Sequence, residues 1–465
     1  MSGLLNALSN AMSALAASQD EVNVSSNNLA NANTPGYARE RVVLEEQPSF
    51  ATGALSGMGN GVTVESVQSI RDPLLDASVQ QETQQQSASQ EIVSAMQPVQ
   101  TLFVSGNGGV SDEMSTFFDG LQELSTSPTD PALQATVLSD AGNLATAFQT
   151  TATQLTGTQQ SLDLGVTQSV SQINQLTTQL AQVNGQITSA QGSGQSGNNL
   201  QNQQQNLLSE LSSLIGFSVG QSSDGQTITT ANGTPLVVGN QSFALSTATN
   251  SSTGFQDVVS AQGEDITSQI SAGQLGGMIQ ARDVQVAGVL SSLNTLAGSL
   301  SSAINTVNEN GYYFAGATGT KGTAMFSVTP GNGAAASMSV ALTSGSQIAS
   351  SSSATASGDN SNLLAMIDVG TQPLVNSQTP TQMLSGIVYQ VGNDVSQAQS
   401  DSAAGSLMLT QLQDEQGAVE GVSTDEEASN LLTYQQSYQA AARVVTVVDD
   451  LTLVALNLGV ETAMT

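Results

Sequence analysis

The sequence predicts a mainly α-helical, multidomain chain, α+β overall, with an inserted β-rich domain and with its N- and C-terminal helices paired as a coiled coil. Three observations carry this expectation. Leu4, Leu8, Ala11, Leu15, Ser18, Val22, Ser25 and Leu29 follow one another at alternating steps of four and three, the period of a coiled-coil seam, and Leu5 and Met12 widen the stripe. Near the other end, Leu431, Tyr434, Tyr438, Ala441, Val445, Val448, Thr452 and Ala455 form a matching stripe. Beside it runs a second, of Val444, Val447, Leu451, Val454 and Leu458. A helix apolar on two adjacent faces should meet at least two neighbours. Third, two stretches rich in Gly, Ser and Thr carry short alternating runs such as 227–230 and 236–238, which favour strands.

Taken in order, the N-terminal helix should stop at Thr34-Pro35-Gly36-Tyr37, where Pro presets the first central position of a turn and Gly accepts positive φ at the second. Residues 41–44 and 61–67 read as extended. Apolar spacing predicts helices over 73–103, 200–214 and 275–307, and one or two helices over 133–187. The C-terminal helix opens with two overlapping capping boxes, Ser423 with Glu426 and Thr424 with Glu427. The expected division is a terminal assembly domain (1–62 and 424–465), a helical domain (63–215, 271–311 and 377–423) and one β-rich outer domain (216–270 and 312–376).

Composition excludes several functions. Six basic residues face 37 acidic ones, a formal charge of −31, so phosphate backbones and anionic membrane surfaces are repelled. No apolar run approaches the ~20 residues of a membrane span. The chain has neither Cys nor His, which removes Ser-His-Asp triads, Cys nucleophiles and His or Cys metal sites. The only Lys, Lys321, follows no Ser-x-x-Lys motif. No cofactor and no catalytic residue are expected. The first basic residue is Arg39 and Asn and Ser interrupt every early apolar run, so no Sec-type signal is expected. Aromatic residues make up 3% of the chain, so its cores must be aliphatic.

Three further motifs have plainer readings. Gly192-Ser193-Gly194-Gln195-Ser196-Gly197 fits a dinucleotide fingerprint in letters, but a Gln-rich helix precedes it and no acidic residue follows at the required distance; it reads as a linker. Asp449-Asp450 reads as the solvated side of an apolar helix. The pairs Tyr312-Tyr313 and Tyr434/Tyr438 read as packing or subunit contacts.

NNLANANTPGY, residues 27–37, resembles the N-terminal signature of the flagellar rod, hook and hook-associated proteins, and residues 430–458 resemble the C-terminal signature of the same group. The matching turn residues are Asn27, Asn28, Asn31, Thr34, Pro35, Gly36 and Tyr37. Residues 275–314, LGGMIQARDVQVAGVLSSLNTLAGSLSSAINTVNENGYYF, resemble the hook-associated protein 1 family, and 70–75 and 199–215 match further blocks. The resemblance implies a non-enzymatic structural subunit of the bacterial flagellum, forming a ring between the hook protein and a second junction protein. It also implies export through the flagellar type III route to an extracellular position, with a chaperone holding the C-terminal helix.

The corresponding mechanism is folding coupled to assembly. Isolated helices of ~30 residues are marginal in water, and burying Leu and Val at about 1.5–3 kcal/mol each offsets the ordering entropy. The expected assembly residues are Leu4, Leu8, Leu15, Val22 and Leu29 with Tyr434, Tyr438, Val445, Val448, Leu451 and Leu458. A hook or rod protein is the nearest alternative, opposed by the block at 275–314. A secreted adhesin or surface-layer protein is opposed by the paired terminal heptads and the turn. A carboxylate-pair glycosidase ranks last.

Overall fold

The computed structural model describes residues 2–47, 59, 61–103, 106, 108–222, 225–331 and 333–461. It is mostly helical, with small antiparallel sheets. Helix α1 (Ser2–Asn31) leads through a turn into strands β1 (Glu40–Glu46) and β2 (Val62–Ser69), which pair as a ribbon with a bulge between Val43 and Leu44. Then come α2 (Pro73–Leu102), α3 (Val110–Thr126), α4 (Pro131–Gly192) and α5 (Asn198–Leu214). The fingerprint-like glycines 192–197 form the turn between α4 and α5, as a linker should.

Local chemistry explains the helix starts. Asp72 and Asp130 accept backbone N–H groups of the first turns of α2 and α4, and Pro73 and Pro131 follow, where a missing N–H costs nothing. After α5, strands β3 (Phe217–Ser222), β4 (Gly225–Thr230), β5 (Pro235–Val238) and β6 (Gln241–Ser242) form a meander. A separate hairpin joins β7 (Ser246–Thr249) and β8 (Gln256–Val259). Helix α6 (Gly273–Gln280) passes through a π-helical stretch, Ala281–Val286, into α7 (Ala287–Asn310). Short pieces follow: β9 (Tyr312–Tyr313), β10 (Thr320–Lys321), β11 (Phe326–Ser327), α8 (Ala334–Ser337), β12 (Ser339–Val340) and α9 (Ser361–Val369). Helix α10 (Pro380–Glu420), opened by a Thr379/Gln382 capping box, packs back along α2, and α11 (Thr424–Glu461) completes the chain.

The buried apolar residues fall into two clusters. One joins α2, α3, the first half of α4, α7, the 325–348 loops, α9 and α10. The other joins the second half of α4 with α5, α6, β3, β4, β5 and β8. The segments 216–270 and 312–376, expected as one β-rich domain, pair only within themselves and enter different clusters. Composition marked both as irregular; only the packing partners distinguish them. The first covers the distal half of α4, whereas the second caps the end of α7.

With so few cations, amide side chains hold loops to helices. Gln84 donates to the Phe217 carbonyl (3.1 Å), Asn174 to that of Leu245 (2.7 Å), Asn305 to that of Phe326 (2.7 Å) and Asn362 to that of Ala349 (2.7 Å). Gln84 is therefore buried and engaged, although its Gln-rich run reads as polar surface. Where a cation is used, it is central. Arg282, 1% exposed, pairs with Asp163 of α4 (2.6 Å) and Asp283 (2.8 Å), donates to the Gln256 carbonyl of β8 (2.9 Å) and lies over the Phe255 ring. One guanidinium thus ties α4, the β7–β8 hairpin and the π-helical stretch together. Removing it takes the guanidinium from Asp163, Asp283 and the Gln256 carbonyl, leaving Asp163 the Gln256 N–H (2.7 Å). Arg282→Met should lower unfolding stability by about 3 kcal/mol, read by urea or thermal denaturation; a wild-type transition would show that the clamp contributes nothing net.

Candidate functional site

The candidate site is the pair of terminal helices and the joint that roots them. Helix α1 lies along α11, running antiparallel: Ser25 meets Glu427, and Glu21 faces Tyr434 further on. On α1 the covered positions are Leu4, Leu8, Ala11, Leu15, Ser18, Val22 and Ser25, at the expected alternating steps. On α11 they are Leu431, Tyr434, Ala441, Val445, Val448, Thr452 and Ala455. Three of the expected assembly positions, Leu29, Tyr438 and Leu451, are exposed in the single chain. Leu29 is 40% exposed because α11 begins opposite Ser25 and Asn28, so the last turn of α1 overhangs its partner. Tyr438 lies at the margin of the seam. Leu451, 49% exposed, belongs to the second stripe, which stands bare with Val444, Val447 and Val454. The side chain of Leu458 lies outside the described residues. Leu5 and Met12 are also exposed rather than part of the covered stripe.

The turn after α1 forms as its letters require. The Thr34 carbonyl accepts from Tyr37 N–H (3.2 Å), and Gly36 has φ +71°, the region demanded at the third position of a type II turn. Asn31 donates to Asn27 and accepts from Thr34, closing the helix end locally. The positive φ is what requires Gly36, and the Asn206 side chain would also have to move to admit a larger residue. A Cβ there would fall 1.7 Å from Asn206 Oδ1 of α5, whose amide donates to the Pro35 carbonyl (3.3 Å).

Asn28 is the centre of the joint. Its buried amide donates to the Glu40 carbonyl (2.9 Å) and to Glu427 (3.2 Å), while its oxygen accepts from Glu40 N–H (2.9 Å) and the Tyr37 hydroxyl (2.8 Å). Ser25 donates to the other Glu427 oxygen. The start of α11 is thereby fixed to the end of α1 and the start of β1. Burial, with Glu40 and Glu427 nearby, pushes the Tyr37 hydroxyl upward, so it stays a donor. Burial pushes the Glu40 carboxyl up as well.

A second layer anchors this unit to the body. Arg39 N–H donates to the Glu420 carbonyl (2.8 Å) at the end of α10, and its guanidinium pairs with Glu426 (2.9 Å). Arg71 donates to the Gly36 carbonyl (2.7 Å) and to Asn202 (2.7 Å), and approaches Asp76 and Glu420. The expected capping boxes are thus only half realised. Ser423 accepts from Glu426 N–H (3.4 Å), but both glutamate side chains turn across the chain, to Arg39 and to Ser25 and Asn28. Glu420, Arg39 and Arg71 belong to the joint and were missed by sequence reasoning, which read Glu427 only as a local cap. The available signal was that Arg71 lies within the 70–75 block. Among the described residues no group of three or more acidic side chains is placed to hold a metal ion.

Asn28→Ala should weaken the joint by about 2–3 kcal/mol, because it strips a buried carboxylate and two backbone groups of their partner. Asn27→Ala, at an exposed position with only local contacts, should stay within about 0.5 kcal/mol. Thermal unfolding of the two variants side by side checks this; equal effects would remove Asn28 from its central place.

Comparison with known proteins agrees with this geometry. Residues 96–326 match the flagellar hook-associated protein FlgK helical domain, residues 8–37 the flagella basal body rod protein family, and residues 415–458 the flagellar basal body rod FlgEFG protein C-terminal family. Flagellar hook-associated protein 1 of Bacillus subtilis is 30% identical over 97% of this chain and 97% of its own length; that of Escherichia coli is 27% identical over 96% and 97%. The structure of the flagellar hook junction protein FlgK from Burkholderia pseudomallei superimposes with a TM-score of 0.67 at 19% identity, covering 75% of this chain and 100% of that one, so the fold is shared. With full-length relatives and a helical core of this kind, the chain belongs to the flagellar hook-associated protein 1 family.

Proposed function

We propose that the chain is a structural subunit of the junction between flagellar hook and filament, built into a ring by coiled-coil packing of α1 and α11. The hook protein would lie on one side and a second junction protein on the other. The observation that carries the reading is the bare stripe Val444, Val447, Leu451 and Val454 on an already paired helix, in a chain whose relatives are named hook-associated protein 1 over nearly their whole length. The terminal matches are shared with rod proteins, so the helical-domain match at 96–326 is what favours the junction.

The physical logic is that subunits of charge −31 repel one another unless apolar surface draws them together. Each Val or Leu of the stripe is already about half buried, so covering the rest contributes about 1 kcal/mol. The assembly residues in this reading are Leu4, Leu8, Leu15, Val22 and Leu29 with Tyr434, Tyr438, Val445, Val448, Leu451 and Leu458. They sit in an assembly domain formed by 1–62 and 424–465. The body comprises 63–215, 271–311 and 377–423, with 216–270 and 312–376 facing outward. The same stripe, bare before assembly, is what an export chaperone would hold on the type III route to the outside of the cell.

Deleting the gene should leave hooks without stable filaments and release flagellin into the medium, and a tagged subunit should appear at the hook end of isolated flagella by electron microscopy. Normal filaments in the deletion strain would defeat this reading. Leu451→Asp should abolish incorporation, since a carboxylate in an apolar seam costs several kcal/mol, while the melting of the central clusters is unchanged. Gln435→Asp, at an exposed polar position of the same helix, should incorporate normally. Equal incorporation of both variants would mean that the stripe does not face a partner.

A further inference from the structure

The joint between the terminal helices and the body gathers more negative charge than its cations neutralise. Arg71 lies 3.9 Å from Asp76 at the start of α2 and 3.7 Å from Glu420 at the end of α10, with Asp72 alongside. Glu420 accepts from Asp72 N–H (2.8 Å) through its carboxylate and from Arg39 N–H (2.8 Å) through its carbonyl, and Gln416 donates to Asp76 (2.6 Å). Asp76 and Glu420 are buried. A cavity of about 290 Å³ borders both, lined also by Gly36, Tyr37 and Gly421, so a path to solvent exists at the joint. The titratable and charged groups facing the pair are Arg71, Asp72 and Tyr37; the guanidinium of Arg39 is taken by Glu426.

We propose that this joint is a proton-sensitive latch: with Asp76 and Glu420 protonated, the end of α10 and the roots of β1 and α11 are held against the start of α2, and ionisation of the pair loosens them. The geometry is that of two buried carboxyl groups sharing one guanidinium, placed where the chain passes from the body to both terminal helices. Burial pushes the carboxyls of Asp76 and Glu420 up from their ordinary values; Arg71 opposes this in both, as do the hydrogen bonds from Gln416 to Asp76 and from Asp72 N–H to Glu420, while the neighbouring carboxylates, Asp72 for both and Asp76 for Glu420, add to it. A carboxyl whose value is raised in the closed state binds its proton more tightly there than in the open state. The stabilisation is therefore complete below the ordinary carboxylate value and is lost as pH rises through the raised one.

Hydrogen exchange of the full-length protein, corrected for the intrinsic pH dependence of exchange, reads the latch directly. In peptides covering 32–41 and 416–430, the opening equilibrium should rise severalfold between pH ~4.5 and pH ~7.5, the direction that a value raised in the closed state dictates. Peptides from the core half of α4 should show no such change. In Asp76→Asn with Glu420→Gln the joint peptides should lose their pH dependence and stay at the low-pH protection. Each single variant should retain a reduced slope. A wild-type profile that is flat across this range overturns the proposal with no variant required. An unchanged slope in the double variant overturns it as well, because the proton would then be acting elsewhere.

Discussion

The scarcity of positive charge is the constraint on which the rest of the structure depends. With six basic residues, the chain cannot be laced together by surface ion pairs. Among the described residues its salt bridges belong to Arg39, Arg71 and Arg282, and each arginine joins segments far apart in sequence. Elsewhere neutral amides take over, with Asn and Gln side chains reaching from helices to loop carbonyls. Amides neither repel one another nor respond to salt, so a chain of charge −31 can still be cross-linked densely.

The polar joint and the apolar seam have different roles. Asn28, Ser25 and Glu427 fix where α11 begins relative to α1, because their hydrogen bonds are directional and leave no alternative register. The aliphatic stripes then supply attraction along the helices without further specifying position. Register comes from the polar end and adhesion from the apolar length. The second stripe of α11 repeats the adhesive half of this arrangement on a face left about half exposed among the described residues.

Much of the fold was legible because it rests on short-range periodicity. The alternating steps from Leu4 to Ser25, the Thr34 to Tyr37 turn and the long run of α4 all appear where residue spacing places them. Helix α3 was not read, although Val110, Met114, Phe117, Leu121 and Leu124 keep the same steps; helix α5, equally 17 residues long, was read from its spacing. What could not be read was partnership. Glu427 looks like a local cap, but its partner Ser25 is 402 positions away. Leu451 and Val448 look alike as members of apolar stripes, and only the single available neighbour decides which is covered. The two irregular segments resemble each other in composition and separate only by the half of α4 against which each lies.

Helix α4 has a mechanical consequence. Its 62 residues pass through both apolar clusters without a break, a rod of roughly 90 Å at the usual rise per residue. Twisting one cluster against the other would require bending that rod or breaking its backbone hydrogen bonds, because both clusters grip it along its length. A flexible linker would instead absorb such a displacement. Torque or bending applied at one end of the body is therefore carried to the other as strain in a single helix, and the two clusters move as one lever.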